Sequence, residues 1–96
     1  MGLYISLVNW TDQGIKAIKD SPDRVVGARA LAKKYGCEMK EFFMTIGAYD
    51  MVVMIEGPDD ESVAKFSLAL GSGGNIRTMT LKAFSEDAYR DIVAGL

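Results

Sequence analysis

The chain has 96 residues, enough for a single domain to hold a core without disulfides or metals, and its 49% hydrophobic and 25% charged content is that of a globular protein. It contains no histidine and one cysteine, Cys37, which excludes serine–histidine triads, histidine general bases and an intrachain disulfide, and leaves no imidazole or thiolate set for a metal. A net charge of −2 and a pI near 5.0 speak against nucleic acid, because Lys16, Lys19, Arg24, Lys33 and Lys34 are interleaved with Asp12, Asp20 and Asp23 as on a solvated helix face.

Leu3 to Trp10 is β-prone and ends at Thr11-Asp12, where a capping signal begins. A short amphipathic helical segment carrying Ile15 and Ile18 follows and stops at Asp20-Ser21-Pro22. Ser21 is expected to cap a second helix with Pro22 in its first position, where the missing amide costs nothing. Val25, Ala28, Leu31, Ala32 and Tyr35 recur at three- and four-residue spacing, and Gly36 offers the exit. Two β-prone runs, Cys37 to Ile46 and Met51 to Glu56, flank Gly47-Ala48-Tyr49-Asp50, which reads as the turn of an antiparallel hairpin. Gly57 to Glu61 opens another helix with Val63, Phe66 and Leu70 on one stripe, and Gly71-Ser72-Gly73-Gly74 ends it. Asn75 to Phe84 reads as a fourth strand. Ser85-Glu86-Asp87 then caps a terminal helix with Tyr89, Ile92, Val93 and Leu96 on one face.

The order β-α-β-β-α-β plus a C-terminal helix is that of an α+β, ferredoxin-like domain with a four-stranded antiparallel sheet, spanning residues 1–96 as one unit. Strands one and three should be central and strands two and four at the edges. The residues agree, since Met51 to Ile55 is apolar at both parities while strands two and four carry Glu38, Lys40, Glu41, Arg77 and Lys82. Two helices cover only one face of such a sheet. If Leu3, Ile5, Leu7, Met51, Val53 and Ile55 lie under them, then Tyr4, Val8, Trp10, Val52 and Met54 face elsewhere, and at roughly 1.5–3 kcal/mol each that exposure calls for a cover: the terminal helix, a second copy of the chain, or both, with a homodimer or higher homo-oligomer expected. No run approaches the ~18 apolar residues of a membrane span, and no basic segment precedes an apolar one at the start, so no membrane partner is expected and the location is expected to be cytoplasmic.

The Gly-x-Tyr-Asp turn, with Tyr4-Ile5-Ser6-Leu7-Val8-Asn9-Trp10-Thr11-Asp12-Gln13-Gly14-Ile15 and Asp20-Ser21-Pro22-Asp23-Arg24, resembles the small bacterial and archaeal GYD-domain proteins over nearly the whole chain. The resemblance implies similarity to the dimeric α+β barrel proteins, in which sheet-to-sheet pairing encloses a cavity. In that arrangement the terminal helix seals an end of the barrel or bridges subunits. The family has no settled biochemical role.

Candidate site residues are Trp10, Gln13, Tyr49, Asp50 and Arg77. Tyr49-Asp50 reads either as a phenol tuned by its neighbouring carboxylate or as a turn in which Asp50 bonds local amides and Tyr49 packs over the edge. Arg77 shares its parity with Met79, Leu81 and Ala83, so it reads as a guanidinium offered to a substrate carboxylate, or as a strand-end arginine reaching solvent or pairing with Glu38. Trp10 and Gln13 stand at the mouth of strand one, where a ligand pocket would open. The glycines at 71–74 lack the lysine and following helix of a phosphate loop, and Asp59-Asp60-Glu61 is explained by the helix dipole, so neither cofactor nor metal is expected. Two functions follow: a homo-oligomeric sensor or accessory module binding a small, anionic molecule, or a cofactor-independent enzyme of oxygenase, isomerase or dehydratase type.

Overall fold

The computed structural model describes residues 1–96. Four strands, β1 (Gly2–Trp10), β2 (Glu38–Met44), β3 (Met51–Gly57) and β4 (Ile76–Ala83), form one antiparallel sheet in the order β2-β3-β1-β4. Helices α1 (Asp12–Lys16), α2 (Ser21–Lys34), α3 (Asp60–Ser72) and α4 (Glu86–Ala94) complete the chain, so the ferredoxin-like α+β architecture expected from the element order is the one observed. The central strands are the apolar ones and the charged strands lie at the edges, where lysine and glutamate discourage pairing with a further strand.

Helix boundaries follow local chemistry. Thr11, Asp59 and Ser85 cap α1, α3 and α4, each side chain accepting from an amide three residues on. Ser21 departs from expectation. A 3-10 turn, Ile18–Asp20, runs straight into α2, so the Ser21 amide bonds the Ile18 carbonyl and Ser21 is itself helical, leaving Asp20 in the cap position without a capping bond. The expected exits hold, with Gly36 at φ 73° after α2 and Gly74 at φ 84° before β4.

The face beneath the helices differs from the expected one on β1. Register places Tyr4 opposite Ile55, Ser6 opposite Val53 and Val8 opposite Met51. Tyr4, Ser6 and Val8 therefore join Met51, Val53 and Ile55 in the buried core with Phe66 and Val63, while Leu3, Ile5 and Leu7 turn to the other side with Val52 and Met54. Both parities of β1 are apolar, so periodicity had no means of choosing; pairing does. Ser6, the one buried polar side chain in this layer, shares hydrogen-bond distance with Thr80 on β4 at 3.3 Å.

No helix lies over the second face. There Leu3, Ile5, Leu7, Val52 and Met54 are only half-buried, and Phe43, Met79 and Leu81 are about half exposed at 52%, 52% and 47%. Helix α4 buries none of its residues and presents Tyr89, Ile92 and Val93 to solvent, with Leu96 exposed just beyond it, in a molecule elongated to 49 × 30 × 17 Å. No helix is long and apolar enough to cross a membrane.

Candidate functional site

The β2–β3 turn is built by Gly47, whose φ of 140° a side chain would resist, and by Thr45, whose amide and hydroxyl donate to the carbonyls of Asp50 (2.8 Å) and Tyr49 (2.6 Å). That closure takes Thr45 and Ile46 out of the strand, so β2 ends at Met44, two residues short of expectation. Asp50 has a different duty from the one read in the sequence. Its carboxylate accepts from the backbone amide of Trp10 at 3.0 Å, and its own amide donates to the Val8 carbonyl at 3.0 Å and to Asn9 Oδ1 at 3.1 Å. Asp50 thus fastens the hairpin turn to the end of β1.

Tyr49 reaches across the uncovered face. Its hydroxyl lies 3.7 Å from Sδ of Met79 on β4, on the far side of β1 from its own hairpin. Arg77, two residues before Met79 and opposite Asn9 in register, shares that face and is exposed. It makes no ion pair: Glu38, the partner considered for it, pairs with Lys40 at 3.7 Å. Tyr49, Arg77 and Asn9 are therefore a polar corner on an apolar sheet surface. There an unpaired guanidinium can receive a carboxylate through two parallel hydrogen bonds with a phenol alongside. Asn9 was not singled out in the sequence, although a lone amide on the Leu3-Ile5-Leu7 parity is a legible signal.

Trp10 and Gln13 are not part of this corner. Trp10 belongs to the opposite, helix-covered face and packs against the core. Gln13 is structural: its Nε2 donates to the Gly73 carbonyl (3.2 Å) and Asn75 Oδ1 (3.0 Å). It is one clasp of a latch in which Thr11 donates from its amide to the Asn75 carbonyl (3.0 Å) and from its hydroxyl to the Gly74 carbonyl (2.5 Å). Arg24 extends the latch, donating to the carbonyls of Gly14 (3.0 Å) and Ala17 (3.1 Å). Thr11 and Gln13, at the expected pocket mouth, thus lock the β1 exit to the α3–β4 loop.

A second polar cluster lies at the other end of the sheet. The buried ring of Tyr4 carries its hydroxyl to the Asp60 carboxylate, which also holds Lys82 Nζ at 3.1 Å. The bond to Asp60 pushes the Tyr4 phenol up to about 12, and the same bond, then the one from Lys82, holds the Asp60 carboxyl below the usual carboxylate range. A phenol held protonated in this way anchors and does not abstract protons. Because the folded pKa of Tyr4 is raised, its contribution is whole below about pH 10, its unfolded value, and is lost as pH climbs through about 12. Asp60 works in the opposite sense, contributing above its unfolded value near ~4 and losing that contribution as pH falls through its lowered one. Tyr4→Phe is expected to abolish the alkaline loss: urea melts should show the wild-type advantage over the variant constant at neutral pH and shrinking across about pH 10–12. A gap independent of pH would show that the phenol–carboxylate bond contributes nothing to stability.

The order of strands, the helices on one face and the latch at the β1 exit define an α+β domain of the ferredoxin-like class. Residues 4–93 match the GYD domain, and the chain belongs to that family. It is 32% identical, over all of its own length and 99% of the other's, to the glutamine synthetase and cystathionine beta-lyase binding protein of Thermus thermophilus. Among solved structures, the fold is similar to that of MtbAldR, with a TM-score of 0.68 at 13% identity, the likeness taking in 88% of this chain and 52% of that one. The chain thus spans about half the length of MtbAldR. It is also similar to an ACT domain protein from Streptococcus pneumoniae, with a TM-score of 0.51 at 16% identity over 86% and 90% of the two chains.

Proposed function

We propose that the protein is a non-catalytic, homodimeric binding module that docks onto a metabolic enzyme. The observation that carries this reading is the sheet face left without helices, beside an α4 whose apolar stripe also has no partner. A second copy of the chain suits that face better than another occupant. The charged edge strands discourage edge-to-edge growth, whereas face-to-face packing joins two apolar surfaces of identical shape. Arg77 sits at one corner of the face and Glu38 and Glu56 at the diagonally opposite one, so unlike charges are available to a two-fold partner. Such a dimer is an α+β barrel that encloses Tyr49, Asn9 and Arg77, the groups that would hold a small anion inside it. The bonding of Asp50 and Gln13 supports binding over catalysis, because both side chains are engaged in holding the backbone.

The choice of a protein partner rests on the Thermus relative, whose name states that it binds glutamine synthetase and cystathionine beta-lyase. Immobilised protein should retain purified glutamine synthetase or cystathionine beta-lyase from the same organism, with a dissociation constant in the micromolar range or below by biolayer interferometry. Failure to retain either enzyme, with the dimer intact, would remove this class of partner.

A further inference from the structure

The space between the helices and the sheet holds a cavity of about 290 Å³, on the opposite side of the sheet from the Tyr49–Arg77 corner. Side chains facing it are small at this level, with Gly27 and Ala28 on α2, Ala69 on α3 and Gly73 just past the end of α3. A Cβ placed on Gly27 would meet no atom within 4 Å. Interiors of native proteins carry few voids larger than a water molecule, and apolar ones stay dry unless an apolar molecule enters.

The lining is polarised. Val53, Ile55, Phe66 and Leu31 line its apolar part, where the one hydroxyl, that of Ser6, is shared with Thr80, while Ser21, Arg24, Asn75 and Thr78 line it near the β1 exit. They meet there for topological reasons: register sets Ile76 beside Trp10 and Thr78 beside Val8, and the bonds of Arg24 to Gly14 and Ala17 hold the start of α2 against the short segment that follows β1. Arg24 is half-buried, and two of its N–H groups hold the Gly14 and Ala17 carbonyls. The rest of the guanidinium has no carboxylate within ion-pair distance. A partly desolvated guanidinium with donors to spare, at the mouth of an apolar cavity, selects an anion attached to a greasy body.

We infer that this cavity binds a short- to medium-chain aliphatic monocarboxylate, its chain between α2 and α3 and its carboxylate on Arg24. The site is independent of the dimer proposed above, since it lies wholly within one chain.

Octanoate and octanol serve as probes in calorimetric titrations, with backbone amide shifts read in parallel. Octanoate should bind at least ten-fold tighter than octanol and should move the amides of Ser6, Gly73 and Thr78 more than those of Leu7 and Val52. Arg24→Gln should bring octanoate down to the affinity of octanol, while Arg24→Lys, which keeps the charge, should preserve the preference. Ala69→Phe, or Ala28→Leu if the first variant folds poorly, should fill the space and abolish binding of both probes. Equal affinities for octanoate and octanol in the wild type would overturn the role of Arg24. Binding undiminished by the filling variants, shifts centred on Leu7 and Val52, or no saturable binding of octanoate would overturn the site. The same affinities are expected in a Leu7→Asp chain, so this inference and the dimer fail separately.

Discussion

Leu7→Asp is expected to convert a dimer into a folded monomer. Leu7 sits in the middle of the uncovered face, between Val52 of β3 and Met79 of β4, and is not part of the core beneath α2 and α3. Two leucine side chains per dimer, at roughly 1.5–3 kcal/mol each, would leave an apolar interface, amounting to about 3–6 kcal/mol or roughly 10²–10⁴-fold in the association constant. Burying two carboxylates adds to that cost. Light scattering coupled to size exclusion should report twice the chain mass for wild type at micromolar concentration and a single chain mass for the variant, with unchanged circular dichroism. Val26→Asp, on the outer face of α2 where the residue is 68% exposed, should leave the dimer intact. A wild-type chain that elutes as a monomer at these concentrations would end the dimer reading, and with it the enclosed Tyr49–Arg77 cavity.

Gly14→Ala is expected to be among the most destabilising single methyl additions in the chain. A Cβ on Gly14 would lie 2.0 Å from the Asn75 carbonyl oxygen and 2.9 Å from its carbon, both backbone atoms with no rotamer to retreat into. Relief requires moving the α3–β4 loop away from α1. That movement breaks the Thr11–Asn75 and Thr11–Gly74 bonds and the two bonds from Gln13. A cost of about 3–5 kcal/mol follows, which in a domain of this size lowers Tm by more than ~12 °C. Gly27→Ala provides the contrast. It sits inside α2 with open space around it and should raise stability by about 0.5–1 kcal/mol, because alanine surrenders less backbone entropy than glycine and favours the helix. Thermal melts of the two variants side by side test the latch directly, and a Gly14→Ala chain melting within a few degrees of wild type would show that the loop gives way freely.

The latch also shows why part of the site could not be read in advance. Thr11 and Gln13 looked like a cap and a pocket residue, and Thr11 does cap α1, through the Gly14 amide. Its second duty depends on Gly74 and Asn75, some sixty positions away, and no local pattern carries that pairing. Gly57 is of the same kind: in the sequence it opens the segment leading into a helix, but a Cβ there would fall 2.4 Å from Val63 Cγ2, so its absence is what lets α3 close on the sheet. Asp50 was recognisable as a turn residue because aspartate bonds backbone amides. That the amide would belong to Trp10 on another strand depended on the sheet order.

Element types and their succession were decided locally, by cap residues, glycines at positive φ and runs of β-branched and aromatic residues, all of which act within a few positions of themselves. The strand order also followed, since charged side chains mark edges and uninterrupted apolar runs mark the centre. What tertiary structure alone decided was the facing of β1 and the separation of the five candidate residues. An apolar residue on either parity of β1 satisfies its own strand equally well, and only the pairing of Tyr4 with Ile55, with the reach of the Tyr4 hydroxyl to Asp60, breaks the tie. Once it is broken, Trp10 falls beneath the helices and Tyr49 and Arg77 on the open side, because a strand's two faces are fixed together by a period of two and one contact orients them all.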